Sequence, residues 1–299
     1  MLTKTRHGPV LVASPSRGRP DLVQNLKSLV GEDVNVVYYV STDEMSAYAA
    51  AGATHIVGVD TSHVEGQDKT VKLNAAIADA RRQNVPVLFT DDDLREFEVI
   101  FATKPHSVLI PRFIDLVSMI LRRANEMPRT SLHGIRTGDY QWWRRSLRSG
   151  MFVSGGFQLI TNHEIEYQQI VLFEDLWFWA EHSERFPTVR HDDIVVHHAY
   201  SELASPFVDN RANDELVQEI TDEFEMEWPG HFKLENKKYA VPHILPRSRR
   251  HVNRAGEQEV SNDEAEMKFG TLMAIIDEAR AHYVDTGEIY SVSELLEKL

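Results

Sequence analysis

The stretch VPVLFTDDDL, residues 85–94, carries the reading of this chain. An apolar run, Val85–Phe89, ends in three consecutive carboxylates, Asp91, Asp92 and Asp93. A short apolar run rich in Val, Leu and Phe reads as a buried strand, and the aspartates then mark where it emerges at the edge of a sheet. Adjacent carboxylates repel one another, and a cation relieves that repulsion. Hard divalent cations such as Mg²⁺ or Mn²⁺ take oxygen ligands and keep positions open for substrate phosphates. The triplet therefore points to a metal that holds a diphosphate. Asp is also favoured in solvated loops and at helix N-termini, and an isolated triplet reads equally well that way.

Upstream of the triplet, short apolar runs alternate with helical stretches. Val10–Ala13, Val34–Val40 and Thr54–Val59 read as strands. Asp21–Leu29 has Leu22, Val23, Leu26 and Leu29 at helical spacing, Glu44–Ala51 is Ala-rich, and Lys69–Arg82 is amphipathic. With Val85–Phe89 as the fourth strand, this order predicts an α/β fold with a mainly parallel sheet covered by helices on both faces. Such sheets bind ligands beyond the carboxyl ends of their strands. The loop Ser14-Pro15-Ser16-Arg17-Gly18-Arg19-Pro20 after the first strand and the triplet after the fourth both fall there.

Downstream, Arg112–Asn125 and Phe173–Glu184 read as helices, the second with acids in its first turn where the helix dipole favours them. Met151–Ile160 reads as a strand interrupted by Gly155-Gly156, a mark of close approach by a ligand or another backbone. Ser131–Arg148 reads as loops and short strands, and Ile194–Val196 as a short strand leading into His197-His198. The sequence divides into a catalytic domain over 1–240, a basic connector over 241–262 containing Arg247–Arg254, and a helical tail over 263–299. The tail's apolar face offers either a cover for the catalytic domain or a homodimer contact.

Composition narrows the function classes. The chain has 299 residues, 42% of them hydrophobic, which suffices for a sizeable core. No run is long enough to span a membrane, and Met1–Gly8 lacks the apolar core of a signal peptide. The lack of cysteine excludes disulfides and thiolate metal sites and fits a reducing compartment such as the cytoplasm. A net charge of −14 argues against broad adhesion to nucleic acid or anionic lipid while leaving room for a local basic site.

The stretches VLVASPSRGRP, KLNAAIADA, VLFTDDDL, VSGGFQLI, FEDLWFWAE and VVHHAY occur in an order that resembles the GT-A fold of nucleotide-sugar glycosyltransferases, over about residues 9–200. That resemblance implies a Rossmann-like mixed sheet flanked by helices, here with a C-terminal helical extension. It implies that Asp91 and Asp93 bind Mn²⁺ or Mg²⁺ on the donor diphosphate, with Asp92 turned to the donor sugar or ribose. It adds His198 or His197 as a further metal ligand; neighbours on a strand face opposite ways, so one of the two faces the metal. It places the catalytic base in Glu174-Asp175, with Asp175 preferred. A base near the acceptor oxygen is what sugar transfer to a hydroxyl requires. Both acids also suit a helix N-terminus.

On the same resemblance, Arg17 and Arg19 approach the donor's phosphates or base, for which a guanidinium's planar donors are suited, and Gly18 permits close backbone approach. Ser14 and Pro15 line that pocket, and Asp43 accepts from ribose or base. Lys72 and Asn74 face the nucleotide; Lys72 reads equally as a solvated helix residue. The loop lacks the glycine pattern of a P-loop or a dinucleotide fingerprint. Asp139–Arg148 holds Trp142, Trp143, Arg144 and Arg145, which with Gly155 and Gly156 form the candidate acceptor site. Aromatics stack on bases or sugars and arginines meet phosphates, although one Trp in the core and surface ion pairs account for the stretch equally well. More narrowly, SRGRP, the triplet and the compact size resemble phage TET-associated glycosyltransferases, which implies a hydroxymethylated pyrimidine in DNA as acceptor. Two alternatives stand beside this: a sugar-1-phosphate nucleotidyltransferase, and a catalytically inactive nucleotide-binding module of the same fold.

Overall fold

The computed structural model describes residues 1–64, 68–100, 108–109, 112–137, 147–149, 153–169 and 174–198, with short pieces between 219 and 242. In chain order the elements are β1 (Thr3–Thr5), β2 (Gly8–Pro15), α1 (Val23–Val30), β3 (Val36–Ser41), α2 (Met45–Ala50), β4 (Ile56–Val59), α3 (Asp68–Gln83) and β5 (Val87–Thr90). They continue as β6 (Leu94–Ile100), β7 (Val108–Leu109), α4 (Phe113–Glu126), β8 (Leu132–Thr137), β9 (Leu147–Ser149), β10 (Phe157–Ile160), α5 (Glu174–Arg185) and β11 (Thr188–His198). A separate hairpin pairs β12 (Leu234–Asn236) with β13 (Tyr239–Pro242). The connector over 241–262, apart from Val241 and Pro242 in β13, and the tail over 263–299 lie outside the described residues, as does the homodimer contact expected of that tail.

The main sheet runs β4-β3-β2-β5-β10-β8-β11-β6-β7. Its first four members are parallel. Counted in chain order they stand 3-2-1-4, the arrangement of a nucleotide-binding α/β half, and the order reverses between β2 and β5. The period of two explains why these strands read as unbroken apolar runs. Val10 and Val12 of β2, Tyr38 and Val40 of β3, and Leu88 of β5 enter one core with α1, α2 and α4. Leu11 and Ala13, Val37 and Tyr39, and Val87 and Phe89 enter the other, under α3 and α5. With both faces covered, all of β3 and β5 and the last six residues of β2 are buried, while the edge strand β4 keeps Gly58 exposed.

Beyond β5 the expectation of a mainly parallel sheet fails. β10 is antiparallel to β5 and to β8, β6 is antiparallel to β11 and to β7, and only β8 with β11 runs parallel. The result is a mixed central sheet flanked by helices. β10 follows the turn at Gly155-Gly156, so the expected strand over Met151–Ile160 is shorter than predicted. β11 is longer, reaching back to Thr188 through Arg190, His191 and Asp193. Those polar residues sit in a buried strand because they have partners. Arg123 of α4 donates to both carboxylate oxygens of Asp193, at 3.0 and 2.7 Å, and to His191 Nδ1 at 3.0 Å. His191 Nε2 lies 3.3 Å from His133 Nδ1, and the two rings stack. Arg123 can only donate, so His191 Nδ1 accepts and the proton of the neutral ring is on Nε2. Burial holds both imidazoles well below their ordinary range, His133 at about 4, which keeps them neutral. Among the described residues no helix is long and apolar enough to cross a membrane.

Candidate functional site

At the carboxyl ends of β2 and β5 the turn Ser16–Arg19 meets the acidic triplet. Gly18 has φ +64, a left-handed conformation that glycine adopts without strain, and this folds the turn back over the sheet. Its N–H donates to Glu44 Oε1 at 2.6 Å. The other Glu44 oxygen accepts from the Ser41 N–H, closing a capping box at the end of β3. One glutamate thus fastens two strand-end loops together.

Arg19 reaches inward from that turn. Its Nη2 lies 2.6 Å from Asp92 Oδ1, and its Nη1 donates to Asp93 Oδ2 at 3.1 Å. Asp92 is 1% exposed and Asp93 4%, so two of the three carboxylates point into the molecule. A hydroxyl chain approaches Asp92 from the other side. The Arg19 N–H donates to Tyr48 Oη at 3.2 Å, Tyr48 and Ser16 share a 2.5 Å hydrogen bond, and Ser16 Oγ donates to Asp92 Oδ2. Burial pushes Asp92 up to about 7, although Arg19 and Ser16 pull it down; Asp91 and Asp93 push it further up. Burial also lifts Tyr48 to about 12 and keeps it a neutral donor. Asn25 of α1 donates to the carbonyls of Asp92 and Leu94 at 3.2 and 3.1 Å, pinning the triplet's backbone.

The start of α3 borders the same turn. Lys72 is 1% exposed, so it is no solvated helix residue. It donates to the Ser16 carbonyl at 2.8 Å and to Asp68 Oδ2 at 2.9 Å. Asp68 Oδ1 accepts from Arg17 at 2.8 Å, and the rest of the Arg17 side chain is about half exposed at the rim. Asn74 is turned elsewhere: its amide bonds both the N–H and the carbonyl of Tyr167, at 2.7 and 2.8 Å. Asp43 is exposed beside Glu44. Ser14 and Pro15 are buried at the end of β2.

On the far side of β5 the Asp91 N–H donates to the Gly156 carbonyl at 3.0 Å. The Gly155 N–H donates to Asp175 Oδ2 at 2.9 Å. A Cβ on Gly155 would lie 3.0 Å from Asp175 Cβ, so glycine is what lets the first turn of α5 approach this loop. The neighbouring Glu174 pairs with Lys69 at 2.7 Å. The end of β11 completes the edge, with His197 opposite Glu96 and His198 opposite Leu94, the residue after the triplet. Trp142, Trp143, Arg144 and Arg145 lie outside the described residues, as does the side chain of His198.

The fold therefore gathers the arginine turn, the acidic triplet, Gly155-Gly156, the Glu174-Asp175 pair and the end of β11 along one edge. Sequence reasoning missed Ser16, Glu44, Tyr48, Asp68 and Asn25. Asp68 stands four residues before Lys72 on a helix, a spacing that signals a pair; the others carry no mark in the sequence.

Among the described residues no three of His, Asp and Glu converge on one point as a metal centre. Mg²⁺ sites often use only one or two carboxylates, with phosphates and waters supplying the rest. Asp91, half-buried at the edge, fits such a sparse oxygen donor set in kind, with Asp93 beside it buried against Arg19.

No protein-family model and no curated protein matches the chain. Among solved structures it is similar to a CMP:2-keto-3-deoxy-manno-octonic acid synthetase complexed with CTP, at 12% identity and a TM-score of 0.29. The match covers 44% of this chain and 53% of that one, about half the synthetase's length, a likeness too distant to bear on function.

Proposed function

We propose that the chain is a glycosyltransferase of the GT-A type, moving a sugar from a nucleotide-sugar donor to a hydroxyl acceptor. The observation that carries this reading is the meeting of the Ser16–Arg19 turn with Asp91–Asp93 where the strand order reverses, with Asp175 one loop away. Open α/β sheets bind nucleotides at that point. Arg17, at the rim, meets the donor's diphosphate. Asp91 and Asp93 would hold a divalent cation, which when bound supplies positive charge to the departing diphosphate.

Asp175 is the base. Its Oδ2 is oriented by the Gly155 N–H, whereas Glu174 is engaged by Lys69. Asp175 takes the proton of the acceptor hydroxyl as that oxygen bonds the anomeric carbon. The bond from the anomeric carbon to the donor phosphate oxygen breaks, and its electron pair leaves on the nucleoside diphosphate. The acceptor we propose is the hydroxymethyl group of a modified pyrimidine in DNA.

Incubation with a panel of nucleotide sugars, Mn²⁺ and hydroxymethylcytosine DNA, followed by mass spectrometry of the DNA, tests all of this. A sugar-sized increment is expected. It should fall by about 10²–10⁴-fold in Asp175→Asn and vanish in EDTA. Release of nucleoside diphosphate without DNA modification would keep the transferase and discard the acceptor. Pyrophosphate-dependent formation of a nucleoside triphosphate would replace the reading with a nucleotidyltransferase.

A further inference from the structure

The edge of the sheet opposite the acidic triplet carries a second polar feature, which the transfer reaction does not use. There β10 ends, β8 and β11 begin, and α3 and α5 finish. Between them lies a cavity of about 810 Å³, lined by Arg81, Arg129, Thr130, Ser131, Thr161 and Arg185 among others. That volume is within the range of about 300–1,000 Å³ typical of small-molecule sites.

Three arginines from three separate elements face one glutamate, Glu164, in this lining. The chain as a whole has net charge −14, so a cationic cavity runs against its composition. Two of the arginines have an ordinary explanation. Arg81 and Arg185 lie in the last turns of α3 and α5, where a cation offsets the helix dipole. They also pair with Glu166 and Glu164 at 3.2 and 3.1 Å. Neither explanation covers Arg129. It stands in the loop between α4 and β8, exposed, and makes no ion pair or hydrogen bond among the described residues. Nor does either cover its two neighbours. Thr130 and Ser131 are 1% and 2% exposed, and neither hydroxyl has a protein partner. Buried hydroxyls without partners are uncommon, because leaving one unmade costs its desolvation.

The local backbone is already satisfied and fixes the Arg129–Ser131 stretch beside the cavity. The Ser131 carbonyl accepts from the Thr161 N–H at 2.9 Å, the Thr130 carbonyl accepts from the Thr161 hydroxyl at 2.8 Å, and the Ser131 N–H donates to Pro187 at 3.0 Å. Both hydroxyls lie beneath the wall, so the guanidinium of Arg129 is what remains at the surface to bind.

We infer that this cavity is a second binding site, for a small phosphate-bearing molecule, with Arg129 as its principal charge and Arg81 and Arg185 beside it. Guanidinium forks match the oxygens of a phosphate group. The site lies across the sheet from the proposed donor site and stands independently of the transferase reading.

Calorimetric titration of the full chain, in phosphate-free buffer, with inorganic phosphate and separately with glucose 6-phosphate tests the inference. Saturable binding of at least one is expected. Arg129→Ala should weaken it about tenfold or more, and Arg129→Lys should weaken it less, since a lysine keeps the charge but loses the fork. Asp91→Asn should bind like the wild type. Equal affinities for the two probes identify a free-phosphate site, and tighter binding of the ester identifies a sugar-phosphate site. Absence of saturable binding, unchanged affinity in Arg129→Ala, or loss of binding in Asp91→Asn would each overturn the inference. Because Arg129 is exposed and unpaired, its replacement does not threaten the fold.

Discussion

Arg123 meets one carboxylate and Arg19 meets two. Arg123 and Asp193 form a matched bidentate pair between α4 and β11, sealed from solvent, with two neutral imidazoles behind it. Arg19 lies at the carboxyl edge, retains 19% side-chain exposure and faces Asp92 and Asp93 with Asp91 nearby. One cluster is electrically closed. The other holds more negative than positive charge, so Asp92 is driven up to about 7. A closed pair suits a structural tie. An unbalanced one suits a place where a ligand or cation completes the count, which is why the two arginines call for different experiments.

The largest expected difference is in stability. Arg123→Met leaves Asp193 charged and buried, and unfolding in urea should show a loss of about 3–5 kcal/mol. Arg19→Met should cost clearly less, because Asp92 can take up a proton near neutral pH, yet it should abolish donor turnover. Equal losses would erase the distinction. Replacing the closed pair together, Arg123→Met with Asp193→Leu, should restore most of the lost stability, since a buried ion pair and an apolar pair of similar volume are often nearly equivalent. No recovery in the double variant would mean that His191 and His133 depend on the guanidinium as well.

A smaller effect sharpens the functional side. Gly155→Ala pushes a methyl to 3.0 Å from Asp175 Cβ. A displaced base should lower kcat about tenfold while the urea midpoint hardly moves. An unchanged kcat would remove Asp175 from the chemistry.

The smallest effect is a pair of opposed pH slopes. Asp92 keeps its proton in the folded chain up to about 7, against 3.8 in the open chain, so its contribution to stability is lost as the pH rises across that window. His133 is depressed to about 4 from 6.5, so its contribution is present above 6.5 and lost as the pH falls towards 4. On going from pH 7 to pH 5, Asp92→Asn should lose more stability than the wild type and His133→Asn should lose less. Parallel slopes in all three proteins would show that neither cluster titrates as described.

Much of the first half was legible in advance because its signals are local. Val10–Ala13, Val34–Val40 and Val85–Phe89 each foretold a strand within two or three residues of its observed bounds, and Lys69–Arg82 foretold α3 almost to the residue. The second half hid itself. In β6, Leu94 and Phe97 are both buried at a spacing of three, because pairing shifts where His198 meets Leu94 and His197 meets Glu96, and the shift breaks the alternation. In β11, Arg190, His191 and Asp193 mask a buried strand until Arg123 is placed beside them.

The sequence alone determined that apolar runs alternate with amphipathic helices and that polar loops crowd one edge, because hydrophobic periodicity is written in neighbouring residues. Which charges meet was left to the tertiary structure. Arg19 and Asp93 are 74 residues apart, and Arg123 and Asp193 are 70. An ion pair over that distance depends on strand order, register and burial, and none of these has a local sign in the chain.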